Sequence, residues 1–387
     1  MEIESYQFMN LYVNLQCIAG IYSKATDDDS MKLFKCQHCG QMLYFENERC
    51  ENCGHRLGYL PDIGVLSVVR ENGGNWTALA NPSRDYRFCA NWESYACNWM
   101  VPAGGEQSFC VACQHNRTIP DISDPEQHRL WQKLELAKKR LFYGLIKFNL
   151  PMPTEASGDP EPLAFQFLAD GYEEDEDEKV MTGHDNGQIT IRLSEADDAE
   201  RERQRTSMNE PYRTLLGHFR HETGHYYWDK LVRDGGKIES FRALFGDENL
   251  DYQEALERHY ETGAPSGWQN SFVSAYATSH PWEDWAETWA HYLHIVDTLE
   301  MAGEFGIRVK PVVSDDPDLE AEIDFESYQA EDIGLLVEAW LPLTIAVNSL
   351  NRSMGQPDLY PFVLAPAAIA KLGYVHDLIH GLTPKWP

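Results

Sequence analysis

Basic residues are scarce in this chain: 32 Lys and Arg stand against 62 Asp and Glu over 387 residues, a formal net charge of -30. Nucleic-acid binding irrespective of sequence needs clustered cations that neutralise phosphates, so the charge balance argues against that class. Long apolar runs are missing too. No stretch offers the roughly 18 to 20 continuous apolar residues of a membrane span. The opening "MEIESYQFMNLYVNLQCIAGIY" lacks the basic n-region and small-residue cleavage site of a secretory signal. Cysteine is absent after Cys113. Together these absences lead us to expect a cytoplasmic protein with neither nucleic-acid nor membrane partners, its nine cysteines reduced and available as metal ligands.

Aromatic residues, in contrast, are plentiful, and 19 Tyr, 16 Phe and 11 Trp can fill a sizeable core. Residues 1–30 precede Met31, which begins a more ordinary N-terminus, and are read as an N-terminal extension of unknown role. Eight cysteines then fall between positions 36 and 113, which marks 31–120 as a small metal-stapled region. The remainder, 121–387, is read as one mainly helical domain with a small sheet, giving an α+β chain overall.

"CQHCG" and "CENCG" place Cys36, Cys39, Cys50 and Cys53 as two C-x2-C pairs ten residues apart. The glycine after each pair permits the tight turn that aims two thiolates at one ion, and four thiolates select tetrahedral zinc. Cys89, Cys97, Cys110 and Cys113 form a second, looser set, since only its last two members make such a pair. Both sites are expected to be closed, four-coordinate and structural. Through residue 120, nine basic residues face 13 acidic ones, so protein docking suits this region better than nucleic acid. Cys17 is left over as an ordinary buried thiol.

Helix signals are clear in three places. "SDPEQHRLWQKLELAKKRLFYGLIKF" has Ser123 or Asp124 as cap and Pro125 in the first turn; "NEPYRTLLGHFRHETGHYYWDKLV" has Asn209 and Pro211; "SHPWEDWAETWAHYLHIVDTLE" starts after Ser279 with Pro281. "GHDNGQITIRL" alternates after an Asn-Gly turn and predicts a strand, read as an edge able to align an extended substrate. "DGYEEDEDEK" is a solvated acidic loop, a possible cover for the site, and the last 85 or so residues are helical and apolar.

The chemistry centres on "HETGH". His221 and His225, four apart, project from one helix face and can chelate one ion, while Glu222 lies beside it and can take a proton from water. His218, one turn earlier, is read as a core residue or a support, because its use as a ligand would displace Glu222 from that place. A third ligand comes from "PWEDWAETWAHY": Glu283 ligates, and Glu287 on the same face accepts an N–H from a ligating imidazole.

This His-Glu-x-x-His with a downstream glutamate resembles the gluzincin arrangement of zinc peptidases. "YATSHPWEDWAE" looks like the corresponding segment of lethal-factor-type toxin proteases, where a tyrosine precedes the ligand glutamate by seven residues, as Tyr276 precedes Glu283 here. More broadly, "MKLFKCQHCGQMLYFENERCENCGHRLGYLP", "GHDNGQITIRLSEADDAERER" and the two helix segments are similar to the zinc-binding metallopeptidases that carry an N-terminal zinc ribbon, over most of 31–305. The resemblance implies a zincin-like domain, one catalytic zinc beside two structural ones, and Tyr276 as a donor to the oxyanion. The leading expectation is therefore hydrolysis of peptide bonds in a protein or peptide substrate, with Glu222 activating water. A non-catalytic scaffold that binds a protein partner through its zinc ribbons is the second reading. A protease of nucleic-acid-bound proteins is the third, and the acidic balance counts against it.

Overall fold

The computed structural model describes residues 33–169, 182–207 and 214–382. Cys17, the acidic loop at 173–178 and the Asn209/Pro211 cap lie outside them. The ribbon region opens with a short hairpin, β1 (Leu33–Lys35) and β2 (Met42–Tyr44). A five-stranded antiparallel sheet follows in chain order: β3 (Leu57–Leu60), β4 (Val65–Asn72), β5 (Asn75–Ala78), β6 (Asn81–Phe88) and β7 (Met100–Pro102). The broadest sheet among the described residues thus lies in the ribbon region, whereas the sequence placed its sheet only after residue 120.

A mixed sheet comes next, built from β8 (Asn116–Thr118), β9 (Ala164–Leu168), β10 (Gly183–Asp185) and β11 (Gln188–Arg192) in the order β10-β11-β9-β8. β9 runs parallel to both β8 and β11, and β10 folds back antiparallel on β11. The two-residue turn Asn186-Gly187 makes that reversal; both residues have positive φ (47° and 85°), as a type I′ hairpin requires. The reversal corrects one expectation. "GQITIRL" is β11, an interior strand, because the Asn-Gly turn lays β10 along its outer side, so β10 is the terminal strand on that side among the described residues.

Helices complete the fold: α1 (Pro125–Lys147), α2 (Asp198–Ser207), α3 (Leu215–Tyr227), α4 (Ile238–Phe245), α5 (Tyr252–Thr262), α6 (Pro281–Glu304), α7 (Ile333–Ser353) and α8 (Pro366–Ile379). Asp124 caps α1 by accepting from the backbone N–H of Glu126 and Gln127 at 2.9 Å. Thr214 caps α3, and the His280 side chain accepts from Trp282 N–H at the start of α6, ahead of Pro281. α3 and α6 pack face to face, with Trp285, Trp289 and Tyr227 fully buried. Tyr227 and Trp289 stack with ring centroids 4.9 Å apart.

α7 is long and apolar enough to cross a membrane by length and composition, an exception to the sequence reading. Its Leu336, Val337, Trp340 and Leu343 are nevertheless buried, and the helix packs on α6 and α8. One hydrophobic core runs from the ribbon into the helices: Phe45 meets Tyr59, Trp99 and Tyr143 of α1 with centroids 4.9, 6.0 and 5.6 Å away.

Candidate metal centre

Three donor sets come together. In the first, Cys36 Sγ lies 3.7 Å from Cys53 Sγ and Cys39 Sγ lies 3.5 Å from Cys50 Sγ. In the second, Cys97 and Cys110 sulfurs are 3.7 Å apart and all four cysteines are buried. A Zn–S length of about 2.3 Å puts the sulfurs of a tetrahedral site roughly 3.8 Å apart, so both sets have the size of a zinc thiolate cluster. Glu135 of α1 stands behind the second set, its Oε2 3.6 Å from Cys113 Sγ, and is itself held by Lys138 (2.9 Å) and Asn116 (2.6 Å).

The third set is His221, His225 and Glu283, whose donor atoms lie within 4.8 Å of one another. α3 carries both histidines on one face, and the first turn of α6 brings Glu283 against them. His221 Nε2 is 3.0 Å from Glu283 Oε2, and His225 Nε2 is 3.5 Å from Oε1. Gly224 makes the close approach possible: a Cβ there would sit 2.9 Å from Ala286 Cα and 3.3 Å from its carbonyl oxygen. Trp285 locks the contact by donating its indole N–H to the Gly224 carbonyl at 2.7 Å.

The side chains around these donors fix them in a ligating form. His221 Nδ1 lies 2.8 Å from Glu287 Oε1, which leaves Nε2 as the nitrogen that faces Glu283. Glu287 in turn accepts from Ser274 Oγ at 2.5 Å. Glu283 Oε2 is buried and accepts no hydrogen bond, although a carboxylate oxygen out of water needs a partner. A divalent cation between the three residues would supply one. The electrostatics agree: burial alone would lower the His221 imidazole, but Glu283 and Glu287 hold it well above its ordinary value. Burial would raise Glu283, yet His225 and His221 hold it well below. The carboxylates here ask for positive charge.

Glu222 is buried beside the donors and turned toward His218, whose Nε2 lies 3.1 Å from its Oε1. His218 Nδ1 donates to Glu195, which also accepts from Thr182 Oγ1. His218 is therefore a support for Glu222 rather than a fourth donor at the metal set. Despite burial, Glu195 and Glu222 raise its imidazole to about 9, and His218 lowers Glu222 against the effect of its own burial. Tyr276 places its ring 5.9 Å from that of His221. Three supports escaped the sequence reading. Glu195 and Ser274 carried no spacing signal, and Tyr252, whose hydroxyl donates to Glu283 Oε1 at 2.6 Å, sits 31 residues upstream on another helix.

Comparison with known proteins gives the family. Residues 127–378 match the family described as "Putative zinc-binding metallo-peptidase". The chain belongs to this family. Residues 33–124 match a zinc-ribbon domain, the partner module expected of such metallopeptidases. Uncharacterised proteins of Mycobacterium bovis and of two strains of Mycobacterium tuberculosis are each 40% identical over 357 residues, which cover 92% of this chain and 97% of theirs. No solved structure matches.

Proposed function

We propose that the protein is a zinc-dependent peptidase, and the observation that carries this reading is the convergence of His221, His225 and Glu283 with Glu222 beside them. The family membership supports a hydrolytic role. His221, His225 and Glu283 would hold the zinc ion, which when bound would supply Lewis acidity toward a carbonyl and acidify water. Glu222 accepts the proton of the attacking water and returns it to the leaving amine. His218, anchored on Glu195, holds the Glu222 carboxylate in place. Glu287 fixes the His221 tautomer. Tyr276 donates to the oxyanion as the peptide carbon becomes tetrahedral. β10, beside α3 and terminal in its sheet, is the strand on which an extended peptide pairs through its main chain. Its His184 ring lies 6.1 Å from Tyr226 and 6.3 Å from Trp282, which makes the adjoining wall aromatic.

The cysteine sets would hold two structural zincs, and their grouping as thiol clusters fits a cytoplasmic setting. The test combines composition with turnover. Zinc per chain should be three in the wild type and two in folded His225→Ala. Glu222→Gln should keep three zincs and lose peptide hydrolysis by at least roughly a hundredfold, the scale of a general base. A wild type with three zincs and no hydrolysis across a diverse peptide library would favour the ribbon-scaffold reading, and unchanged hydrolysis by Glu222→Gln would remove the assigned base.

A further inference from the structure

Tyr252 has no task in the hydrolytic steps above, yet it touches a proposed metal ligand. It opens α5, a helix in which only Ala255 is buried. Its aromatic contacts run toward the surroundings of the metal site. The Tyr252 ring packs on His280 and Trp282 with centroids 5.3 and 6.0 Å away, and one turn from its other end the His259 ring meets Tyr276 at 5.9 Å. The helix leans on the site at both ends.

The two oxygens of Glu283 have different surroundings. Oε1 accepts the Tyr252 hydroxyl at 2.6 Å; Oε2 accepts no hydrogen bond and faces His221 Nε2 at 3.0 Å. We infer that Tyr252 is a positioning residue for Glu283: by occupying Oε1 it keeps the carboxylate to one-oxygen coordination through Oε2, which leaves the metal a vacant position for substrate. The inference rests on the metal-site reading of His221, His225 and Glu283. Carboxylates bind divalent ions through one oxygen or two. A second oxygen would fill the position that a catalytic zinc keeps open, and hydrogen bonds to a ligating carboxylate decide between the two modes.

The test uses the full chain with both cysteine sites zinc-loaded, the central site stripped with dipicolinate and refilled with cobalt(II), and the His225→Ala signal subtracted. Four-coordinate cobalt absorbs strongly in the visible, and the band weakens as coordination rises to five or six. Tyr252→Phe should keep its two ribbon zincs, bind cobalt about 10-fold or more weakly, and show the weakened band. Wild-type affinity together with a wild-type band in Tyr252→Phe would overturn the inference. If the wild type itself takes up no more cobalt than His225→Ala, the metal-site reading falls and takes the inference with it. The two failures are therefore distinct.

Discussion

His218 shows how one residue can matter without touching a metal. Its imidazole bridges Glu195 and Glu222, so removing it leaves two buried carboxylates facing each other across a gap. His218→Ala should keep three zincs while kcat falls by about 10- to 100-fold and KM changes little, as expected for loss of an orienting partner. Equal losses in zinc content and kcat would instead make His218 a ligand. His376 is a cleaner case for pH, because it lies in α8, away from the donor sets. Burial lowers its imidazole to about 4, and Tyr292 Oη is 2.9 Å from its Nδ1. The unfolded chain takes up this proton near 6.5 and the folded chain only near 4. Stability is therefore lost as pH falls through that window, by about 2 kcal/mol at pH 4.5. The urea midpoint of wild type should exceed that of His376→Gln by less at pH 4.5 than at pH 7, and a difference that stays constant would refute the assignment.

Between elements, the decisive contact is α3 against α6, and Gly224 sets its distance. A methyl group there would have to displace the α6 backbone, since its nearest neighbours are Ala286 Cα, the Ala286 carbonyl and Trp289 Cβ. Gly224→Ala should cost about 1–3 kcal/mol of stability and, because α6 also carries Glu283, weaken the third zinc by at least roughly 10-fold. Thermal melts and a zinc titration would check both, and a variant with unchanged zinc affinity would mean that α6 tolerates the shift. This juncture also marks what the sequence made legible. Four-residue spacing places His221 and His225 on one face, Pro281 marks the start of α6, and the tryptophans around Glu283 and Glu287 foretell a buried helix. Tyr252, Glu195 and Ser274 were not legible, because their contacts with the site depend on how α5, the β11–α2 junction and the loop before α6 settle on the α3–α6 pair. The edge strand was misplaced for a related reason: alternation identifies β11, but it does not say which strand ends up outermost.

Across the whole molecule, the two cysteine sites should not be equivalent. Their ligands were legible as sets because the cysteines cluster locally, three of the pairs as C-x2-C; their coupling to the helices was not, because it runs through Glu135 and Lys138, which read as ordinary polar positions of α1. In the fold both are fully buried, Lys138 pairs with Glu135 at 2.9 Å, and Glu135 reaches Cys113. The first set is looser, with Cys39 and Cys53 only partly buried. Phe45, Trp99 and Tyr143 share one core across the boundary, so the ribbon cannot loosen without disturbing α1, which packs on α3. Loss of the second zinc would leave a buried ion pair beside uncoordinated thiols, and a buried charge network stripped of its surroundings is strongly destabilising. Cys110→Ser should therefore lower the Tm of the whole chain by roughly 10 °C in a single transition, at about 2–4 °C per kcal/mol for a domain of this size, and weaken zinc at His221, His225 and Glu283 as well. Cys39→Ser should lower the Tm less and leave the central zinc in place. Calorimetry with zinc analysis separates the cases: two independent transitions in Cys110→Ser, with the central zinc retained, would show that the ribbon and the helices are thermodynamically separate despite their common core.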